Sequence, residues 1–568
     1  MISPTLLLIV GAVAAALLPS RLRPMVTVLS PTVALLYVAF SLPLGTELTH
    51  PLLGYTLTIV RVDELSRVFG LIFSAASVLW AIFAWQANDR REQVAGQLYA
   101  AGALGVTFAG DVITLYAFWE LMAVTAAVLV WIRGTVTSTR AGLRYLLVHL
   151  SGGAVLLIGF GLHVGTTGSI AFEHFDPSPA AWIILIGFCL NAAVPPLGAW
   201  LPDAYPKAST TGAVLMSALT TKSAVYALLR GFAGWEVLVA AGVLMALYGV
   251  VYAVLANDIR ELLAYHIISQ VGFMVAGCGL GTPMALNGAV AHAVCHILYK
   301  ALLFMGAGVV ITTTGRSKLT ELGGFVGRQR VVFALYMIGA FSISGFPLWN
   351  GFVSKSMVLA AAGESQRDVV FLLLTLASVG TFLHTGLKLP YFTWMGADRG
   401  IRPTPAPRCM VAAMAIAATL CTLIGVWPDG LYALLPHDVA YEPYTAGHVV
   451  ETVQLLLFTL FAFYLFIPKL GGEATVSVDT DVVYRKGAAL ARRVFVDGVD
   501  DAFGGAEAAV RRVTAGVRAW FRNPGFTMVG RHELGGWDPE MSRRPLQVPL
   551  VLTLAVFVVL ALLALVAG

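Results

Sequence analysis

Runs of about 20 apolar residues recur along this chain, and they constrain its fold more than any other feature. A bilayer core about 30 Å thick is crossed by about 20 helical residues at 1.5 Å each. In lipid, every backbone N–H and C=O group must be bonded within the protein, which favours helices. With 58% hydrophobic and 12% charged residues, the chain contains about sixteen such runs. We therefore predict an all-α polytopic membrane protein with about 14–16 transmembrane helices.

Prolines or glycines interrupt two predicted spans, 180–206 and 331–360. The interrupting residues are Pro195, Pro196 and Pro202 in the first span, and Gly345 and Pro347 in the second. Irregular backbone at membrane depth is tolerated only where it is buried in protein or lines a wet cavity. Because each interrupted span is the fourth of five, we predict two inverted five-helix repeats, each with a broken helix. A kink that serves packing alone is the alternative.

The predicted organisation has six parts. They are N-terminal transmembrane helices (1–96), a first inverted repeat (97–231), a second inverted repeat (236–390), C-terminal helices (408–468), an amphipathic segment (470–548) and a final transmembrane helix (549–567). The segment 470–548 is rich in Arg, Asp and Gly, with apolar residues at helical spacing among the arginines. This pattern is typical of a helix on a membrane surface, where it could brace neighbouring spans. A solvated linker is the alternative.

Basic residues concentrate in the loops that follow odd-numbered predicted spans. Lysine and arginine remain preferentially on the cytoplasmic side of a membrane. We therefore predict an N-terminus outside the cell (inner) membrane, with the basic loops and the segment 470–548 in the cytoplasm. The net charge of +5 is spread over many loops, so it does not predict nucleic-acid binding.

Two ionisable residues lie near the middle of predicted spans, Glu120 in ITLYAFWELMAVTAAVLVWI and Lys222 in SALTTKSAVYALLR. Glu120 is about eight residues into its helix, or about 12 Å deep at 1.5 Å per residue. Charged side chains inside a bilayer are costly and mark functional sites by default. We predict that both residues gain and lose protons. A static buried ion pair is the alternative.

Three titratable residues, His292, His296 and Lys300, follow one another at intervals of four. This spacing places them on one face of a helix, over about 12 Å of its axis. Packing alone does not explain three such groups on an apolar helix, so we predict a ladder of proton-carrying groups. Metal binding by the two histidines is the alternative, but no carboxylate is nearby and Lys300 would repel the cation.

Three further polar residues extend this set. His266 lies in AYHIISQVGFMV, Lys355 follows the second break, and Lys388 lies in FLHTGLKLP. We predict that they continue the relay. Lys355 and Lys388 lie toward the ends of their spans, so snorkelling of the long side chains to the interface is the alternative. His149 is expected to be structural.

The five cysteines form no C-x-x-C pair, and the chain contains no G-x-x-x-x-G-K-[ST] phosphate loop. These patterns argue against iron–sulfur and zinc sites and against nucleotide hydrolysis by a P-loop. We therefore predict no metal, no cofactor and no catalytic redox site in this chain. Any redox chemistry would belong to partner subunits.

Several stretches resemble one family of membrane proteins. They are WLPDAYP, TTKSAVYALLR, NDIRELLAYHIISQVGF, HAVCHILYKALLFMGAG and ISGFPLWNGFVSK. The chain is similar over about residues 60–395 to the antiporter-like subunits that Mrp-type cation/proton antiporters share with respiratory complex I. FLHTGLKLPYF favours the D-type member of the Mrp antiporter subunits. The resemblance implies a mid-membrane chain of proton carriers, in which the motifs correspond at Glu120, Lys222, His292, His296, Lys300 and Lys355.

The chain departs from this family pattern at two positions. Asn191 stands nine residues before the tryptophan of WLPDA, where many members have a lysine that partners the glutamate. Gly198 stands where a histidine is common. Asn191 cannot carry a proton charge, so we predict that Glu120 is partly protonated or is balanced by a cation from another helix or subunit.

The sequence predicts a proton-translocating subunit of a multisubunit membrane complex, with Mrp-type Na⁺/H⁺ antiport as the leading function. Its expected partners are other membrane subunits, protons, Na⁺ and the lipid bilayer. One alternative is the pump module of a complex I-like or membrane-bound hydrogenase complex. Another is the proton-conducting partner of an inorganic-carbon uptake protein. A non-conducting scaffold, with its relay broken at Asn191, is the alternative from a different class.

Overall fold

The computed structural model describes residues 2–52, 54–87, 89–438, 440–471, 479, 482, 492–522 and 547–566. Its backbone divides into two units, Met1–Asp481 and Val482–Gly568. All of the predicted relay residues belong to the first unit.

The first unit is a bundle of helices joined mostly by short loops. Its earlier helices are α1 (Pro4–Leu17), α2 (Arg23–Phe40), α3 (Glu64–Phe83), α4 (Arg90–Phe108), α5 (Val112–Trp131), α6 (Val136–Thr167), α7 (Pro179–Asn191), α8 (Trp200–Ala204), α9 (Gly212–Ala218) and α10 (Thr220–Gly231). Its later helices are α11 (Val237–Leu255), α12 (Ile259–Leu280), α13 (Pro283–Thr314), α14 (Arg330–Ser344), α15 (Asn350–Glu364), α16 (Asp368–Thr381), α17 (Arg408–Val426), α18 (Asp429–Tyr432) and α19 (Ala446–Leu470). Short 3₁₀ turns occur at Tyr205–Lys207, Leu319–Glu321 and Val326–Arg328, and π-helical turns at Phe382–Lys388 and Tyr391–Met395.

Among the described residues, eleven helices are long and apolar enough to cross a membrane, and four shorter apolar helices accompany them. The interior of the bundle is formed by α12 and α13, whose most apolar stretches are 100% and 94% buried. By contrast, α19 is only 17% buried in its corresponding stretch, as expected of a helix that faces lipid or another subunit. The predicted all-α polytopic membrane fold is confirmed.

Two sets of five membrane crossings repeat the same plan. In each set the second helix begins after a capping aspartate, Asp111 before α5 and Asp258 before α12, whose side chain accepts hydrogen bonds from the first-turn amides. Each aspartate also forms a short antiparallel bridge to a residue after the third helix, Ala171 or Lys318. The fourth crossing is interrupted in both sets, as α7/α8 and as α14/α15. Because five crossings are an odd number, the second set enters the membrane from the opposite side. The exact boundaries 97–231 and 236–390 stay a prediction.

A two-stranded hairpin, which the sequence analysis did not predict, lies between α2 and α3. Strand β1 (Glu47–Leu52) pairs antiparallel with β2 (Tyr55–Arg61). The Thr58 amide donates to the Asp111 carboxylate at 2.7 Å, so the hairpin is attached to the loop between α4 and α5. Its short alternating strands lack the length of a membrane helix, and for that reason the hydropathy pattern does not reveal them.

The segment predicted as amphipathic, 470–548, falls partly outside the described residues. Its described part forms a π-helical turn at Arg492–Asp497 and a long helix, α20 (Gly498–Arg522). Val510, Val513, Val517 and Trp520 follow one another at helical spacing and are exposed. An apolar stripe of this kind beside arginines is typical of a helix at a membrane interface. The final predicted span corresponds to α21 (Gln547–Val566) in the same unit.

Asp63 connects the hairpin to two helices. It caps α3 by accepting from the Ser66 amide at 2.8 Å, and it forms an ion pair with Arg230 of α10 at 2.7 Å. Burial raises the pKa of the Asp63 carboxyl, but Arg230 and Ser66 lower it further, so the pKa lies below its ordinary value. The contribution of this carboxylate to stability is therefore present above the unfolded-state pKa, about 3.9, and is lost as the pH falls below it.

We expect Asp63→Asn to lower the free energy of unfolding at pH 7 by about 1–2 kcal/mol, because asparagine keeps the cap but loses the charge that Arg230 binds. The variant should also lose less stability than the wild type when the pH falls below about 4. Thermal unfolding of the purified protein across this pH range measures both effects. Asp176→Asn, at an exposed carboxyl, is the control, and an equal acid dependence in wild type and Asp63→Asn would contradict the assignment.

Candidate functional site

The three ladder residues lie on α13, in the interior of the bundle. His292, His296 and Lys300 are each 0% exposed. His292 Nδ1 is 3.1 Å from the Ser354 hydroxyl of α15, and its Nε2 is 3.4 Å from the Tyr299 hydroxyl. Both ring nitrogens of His292 therefore have hydroxyl neighbours that can donate or accept a proton.

His296 and Lys300 lack such neighbours. The His296 ring is 6.3 Å from the His292 ring and 5.2 Å from the Tyr299 ring, measured between centroids. Neither nitrogen of His296 nor the Lys300 amine has a hydrogen-bond partner within the described part of the chain. Buried polar groups are almost always bonded, because an unsatisfied one costs about 1–3 kcal/mol. These three atoms therefore add nothing to stability through hydrogen bonds within the described residues.

Lys222 lies directly after a break that the sequence analysis did not predict. At Leu219 the chain stops one helix, α9, and starts another, α10, without a proline or glycine. The Lys222 amine, 0% exposed, donates to the Ser217 carbonyl at 2.5 Å and to the Thr221 hydroxyl at 3.1 Å. The Thr220 amide, freed by the same break, donates to the Tyr99 hydroxyl at 3.0 Å. The break thus places a cation in the protein interior with oxygen partners on one side.

Lys355 and Lys388, for which snorkelling is the alternative, are both enclosed by the protein. Their exposed fractions are 3% and 1%, and both amines point to protein oxygens. Lys355 donates to the Ile343 carbonyl at 2.8 Å and to the Ser378 hydroxyl at 3.3 Å. Lys388 donates to the Val254 carbonyl at 2.6 Å. Both amines therefore bind oxygens within the protein, although the two lysines lie toward the ends of their spans.

Three buried lysines share one kind of partner. Each binds the carbonyl of the penultimate residue of a helix, Ser217 in α9, Ile343 in α14 and Val254 in α11. The last carbonyls of a helix lack intrahelical donors and carry the negative end of the helix dipole. These helix ends therefore stabilise a protonated lysine without a carboxylate.

Glu120 lies half-buried on α5 and faces Gly153 of α6. A Cβ atom on Gly153 would lie 1.8 Å from Glu120 Oε1, so only glycine leaves room for the carboxylate in this position. The Tyr116 hydroxyl, one turn earlier, is its side-chain neighbour. Among the described residues, Oε1 has no hydrogen-bond partner and no ion pair includes Glu120. Its predicted balancing cation on another helix stays a prediction.

Asn191 is the last residue of α7, at the start of the first break. It is buried and lies within hydrogen-bond reach of His149, whose ring packs between those of Tyr145 and Trp200 at 4.0 and 4.4 Å. Trp200 Nε1 donates to the Leu190 carbonyl at 3.0 Å, which links the two sides of the break. His149 and Gly153 are one helical turn apart, so Asn191 and Glu120 approach the same face of α6.

The packing around Gly198 shows why this position holds glycine and not the histidine that is common in the family. Its Cβ would lie 2.3 Å from the Ala193 carbonyl oxygen, so a histidine cannot occupy this backbone. The first break contains one left-handed residue that is not glycine, Ala193 with φ 64°, and the second break contains Leu348 with φ 78°. In the second break Gly345, with φ 75°, ends α14, and Pro347 follows it. Pro195, Pro196 and Pro202 lie in and just after the first break, as predicted.

We expect Gly198→Ala to destabilise the protein by about 1–3 kcal/mol, because the methyl group overlaps a backbone oxygen that cannot move independently. Gly161→Ala on α6, where no atom lies within 4 Å of the added methyl group, should cause no loss, since alanine favours helix. Thermal unfolding of both variants in the same detergent measures the difference. Equal midpoints of unfolding for the two variants would show that the first break has room for a methyl group at residue 198.

Asp203, in the short helix after the first break, is paired with two cations. Its carboxylate accepts two hydrogen bonds from Arg144 of α6, at 2.7 and 2.8 Å, and one from Lys207 at 2.6 Å. The Asp203 side chain is 3% exposed, whereas the two cations retain 24% and 31%. The short helix after the first break is therefore held to α6 by a charged fork, and Asp203 is occupied by this contact.

His266 of α12 faces His384 on the π-helical turn, with ring centroids 5.6 Å apart. Both rings are buried, and none of their nitrogens has a hydrogen-bond partner among the described residues. Gln270, one turn after His266, donates to Thr381 at 3.2 Å and is 3.4 Å from the Tyr299 hydroxyl. π-helical turns are rare and often occur at functional sites. Gln270 thus links the π-helical segment to Tyr299, which lies beside His292 of the ladder.

The sequence did not predict the hydroxyl side chains that lie beside the titratable residues. Tyr299 and Ser354 contact His292, and Tyr99 and Thr220 occupy the break before Lys222. Their positions on the same helices as the predicted residues were the only sequence signal. Hydroxyl residues are too frequent in membrane helices for that signal to be specific.

Comparisons with known proteins agree with the motifs. The family described as "NADH:quinone oxidoreductase/Mrp antiporter, TM" matches residues 109–383. A Na(+)/H(+) antiporter subunit of Alkalihalophilus pseudofirmus, of the D type, is 29% identical over 338 residues, 55% of this chain and 68% of that protein. Hydrogenase-4 component B of Escherichia coli is 28% identical over 430 residues, 66% of this chain and 64% of that protein.

A solved structure shows the same fold. A chain of the Mrp complex from Dietzia sp. superposes with a TM-score of 0.69 at 22% identity, over 76% of this chain and 95% of that chain. The matched region contains both broken helices and the ladder. The resemblance predicted from the motifs is confirmed: residues 109–383 match the family that Mrp antiporters and NADH:quinone oxidoreductase share, and the chain is similar to a subunit of a Na(+)/H(+) antiporter.

Proposed function

We propose that this chain carries protons through the membrane as one subunit of a multisubunit complex. The observation that supports this function best is the buried ladder of α13. Its three titratable side chains are fully enclosed, yet His296 and Lys300 retain polar atoms without a partner in the described residues. Groups that exchange protons with one another or with internal water need such free positions, whereas groups that only stabilise a fold do not.

The relay is proposed to run from Glu120 and Lys222 in the first repeat to the ladder and then to Lys355. His266 and Lys388 form a branch beside it. Lys222 lies close enough to His296 and Lys300 for their charges to repel one another. In a low-dielectric interior such repulsion is large. A proton that arrives at Lys222 therefore favours departure of a proton from its neighbours, so charge moves in steps along the chain.

Cation/proton antiport is the leading candidate for the overall reaction. It rests on the similarity to the Na(+)/H(+) antiporter protein of Alkalihalophilus pseudofirmus, which extends over 338 residues. Other membrane subunits would then supply the cation path, and Na⁺ would be the exchanged ion. The similarity to hydrogenase-4 component B favours a second candidate, the proton-pump module of a redox complex. In that case partner subunits would supply the electrons and the driving force.

The proposed orientation follows the positive-inside rule. Arginines and lysines lie at the ends of helices that would face the cytoplasm, among them the Arg144–Asp203–Lys207 fork. The N-terminus would be outside the cell membrane. The segment 470–548 would lie on the cytoplasmic side, where the apolar stripe of α20 could rest on the bilayer surface or brace a neighbouring subunit.

One experiment distinguishes these candidates. The complex is purified from its native membrane in mild detergent, its subunits are identified by mass spectrometry, and the same material is reconstituted into vesicles that carry a pH-sensitive dye. Antiport predicts small hydrophobic partners and proton flux driven by a sodium gradient. Soluble-sided iron–sulfur or nickel subunits, with flux independent of sodium, would instead favour the redox-driven pump. Absence of proton flux under both conditions would favour the non-conducting scaffold.

A further inference from the structure

A small cavity lies between α15, α16 and α19, next to the last lysine of the proposed relay. Each helix contributes a polar residue to its lining, Lys355, Ser378 and His448 respectively. Thr375 and Thr452 also line it. Its volume of about 60 Å³ is room for about four water molecules, at about 15 Å³ each. Polar lining and adequate volume together allow a hydrogen-bonded chain of water.

Lys355 lies between the ladder and this cavity. On one side its neighbour Ser354 is 3.1 Å from His292 Nδ1. On the other side the Lys355 amine donates to Ser378 at 3.3 Å, and the Ser378 side chain lines the cavity. The Lys355 amine is therefore next to the cavity, while Ser354, its neighbour in the sequence, contacts the ladder.

His448 lies on the opposite wall, near the start of α19. Its ring stacks on Phe352 at 4.8 Å between centroids, with 23° between the planes, and Phe352 is one turn before Lys355 on α15. The residue as a whole is half-buried, but its Nε2 is buried and has no hydrogen-bond partner in the described parts of the chain. Glu451, one turn later on α19, is exposed. The His448 ring thus has one nitrogen buried in the protein and lies near a surface that carries the negative charge of Glu451.

We propose, on the basis of the proposed function, that His448 exchanges protons between Lys355 and the solvent on the side of the bundle where α19 begins. The Lys355 ammonium gives one proton to the water chain and becomes a neutral amine. The water chain delivers one proton to the neutral His448 ring, and the resulting imidazolium releases one proton to external water, which returns the ring to its neutral form. A new proton from the ladder restores Lys355. His448 lies outside residues 109–383, so the family match does not assign this role.

The first test is chemical rescue in the reconstituted complex. We expect His448→Ala to lower proton flux about tenfold or more, because general acid–base groups contribute factors of about 10²–10⁴ to proton transfer. Imidazole added on the side where α19 begins should restore much of that flux, since it can enter the space that the ring leaves. His163→Ala is the control, because His163 is also half-buried and packs on an aromatic ring, Phe175, at 5.0 Å. That variant should conduct like the wild type and ignore imidazole.

Each outcome separates this inference from the proposed function. If Lys222→Met conducts like the wild type, the relay itself is refuted. If Lys222→Met is inactive but His448→Ala conducts normally, only the role of His448 is refuted. Low flux in His448→Ala that imidazole does not raise would also overturn the inference, because it would show that the ring only supports the packing of Phe352.

A second measurement remains informative if His448→Ala does not assemble. Thr452→Cys places a thiol in the cavity lining, and a charged, membrane-impermeant thiol reagent should reach it from one side of the vesicle only and lower the flux. Thr419→Cys on α17, exposed outside the cavity, should be unaffected, as should the parent protein with its own five cysteines. Absence of labelling at residue 452 would mean that the cavity does not open to water, which contradicts the proposal.

Discussion

Lys222→Met should reduce proton flux through the reconstituted complex about 100-fold or more, without reducing its thermal stability. Methionine has nearly the same length as lysine but cannot carry a proton, so the step between Glu120 and the ladder is lost. Stability should be kept or raised, because replacing a buried charge by an apolar side chain is often neutral or favourable. Flux is measured by dye quenching in vesicles and stability by thermal unfolding of the same preparation.

This combination distinguishes a carrier from a structural residue. A lysine that serves only to satisfy the Ser217 carbonyl would, when replaced, lower stability and leave the flux of the surviving protein unchanged. Lys318→Met is the matched control, since Lys318 is 58% exposed and pairs only loosely with Glu321 at 3.8 Å. Normal flux in Lys222→Met would contradict the relay and favour the scaffold.

Asp203→Asn should lower the free energy of unfolding by about 3 kcal/mol, because it leaves two cations around a buried neutral amide. The wild-type carboxylate, 3% exposed, binds Arg144 through two hydrogen bonds and Lys207 through one. Since this fork holds the chain after the first break to α6, its loss should also loosen the break. Chemical or thermal unfolding in detergent measures the change in stability.

The control for this prediction is another aspartate that pairs with arginine. Asp89 binds Arg91 at 2.9 Å, but the side chains are 31% and 75% exposed. Solvent screening limits such surface pairs to about 0–1 kcal/mol, so Asp89→Asn should change stability little, and asparagine preserves the cap of α4. Similar changes for Asp89→Asn and Asp203→Asn would show that the buried fork contributes no more than a surface pair.

Much of this architecture could be predicted from the sequence, because lipid leaves few alternatives. Apolar runs of about 20 residues must be helices, and prolines at membrane depth must lie in protected breaks. The i, i+4 spacing of His292, His296 and Lys300 fixes them on one helix face, whatever surrounds that helix. These features depend on local chain geometry alone, and for that reason the sequence is sufficient for them.

Other features depend on contacts between distant segments. The break at Leu219 contains no proline or glycine, and it forms where Tyr99 of another helix can bind the freed Thr220 amide. The burial of the Lys388 amine depends on its contact with Val254 at the end of α11, which is 134 residues away in the sequence. The pairing of Asp203 with Arg144 joins residues that are 59 positions apart. No periodicity in a single sequence reports such pairings.

The lysines that bind helix-end carbonyls have a mechanical consequence. A lysine amine donates a hydrogen bond to the helix-end carbonyls of Ser217, Ile343 and Val254. The strength of each hydrogen bond depends on whether the amine is protonated. A charged donor forms a hydrogen bond about twice as strong as a neutral one and is attracted by the helix dipole. Loss of the proton from a lysine would therefore weaken its hydrogen bond to the helix end, and return of the proton would strengthen it. At these three contacts, the stiffness of the bundle would therefore change with the protonation state of the lysine.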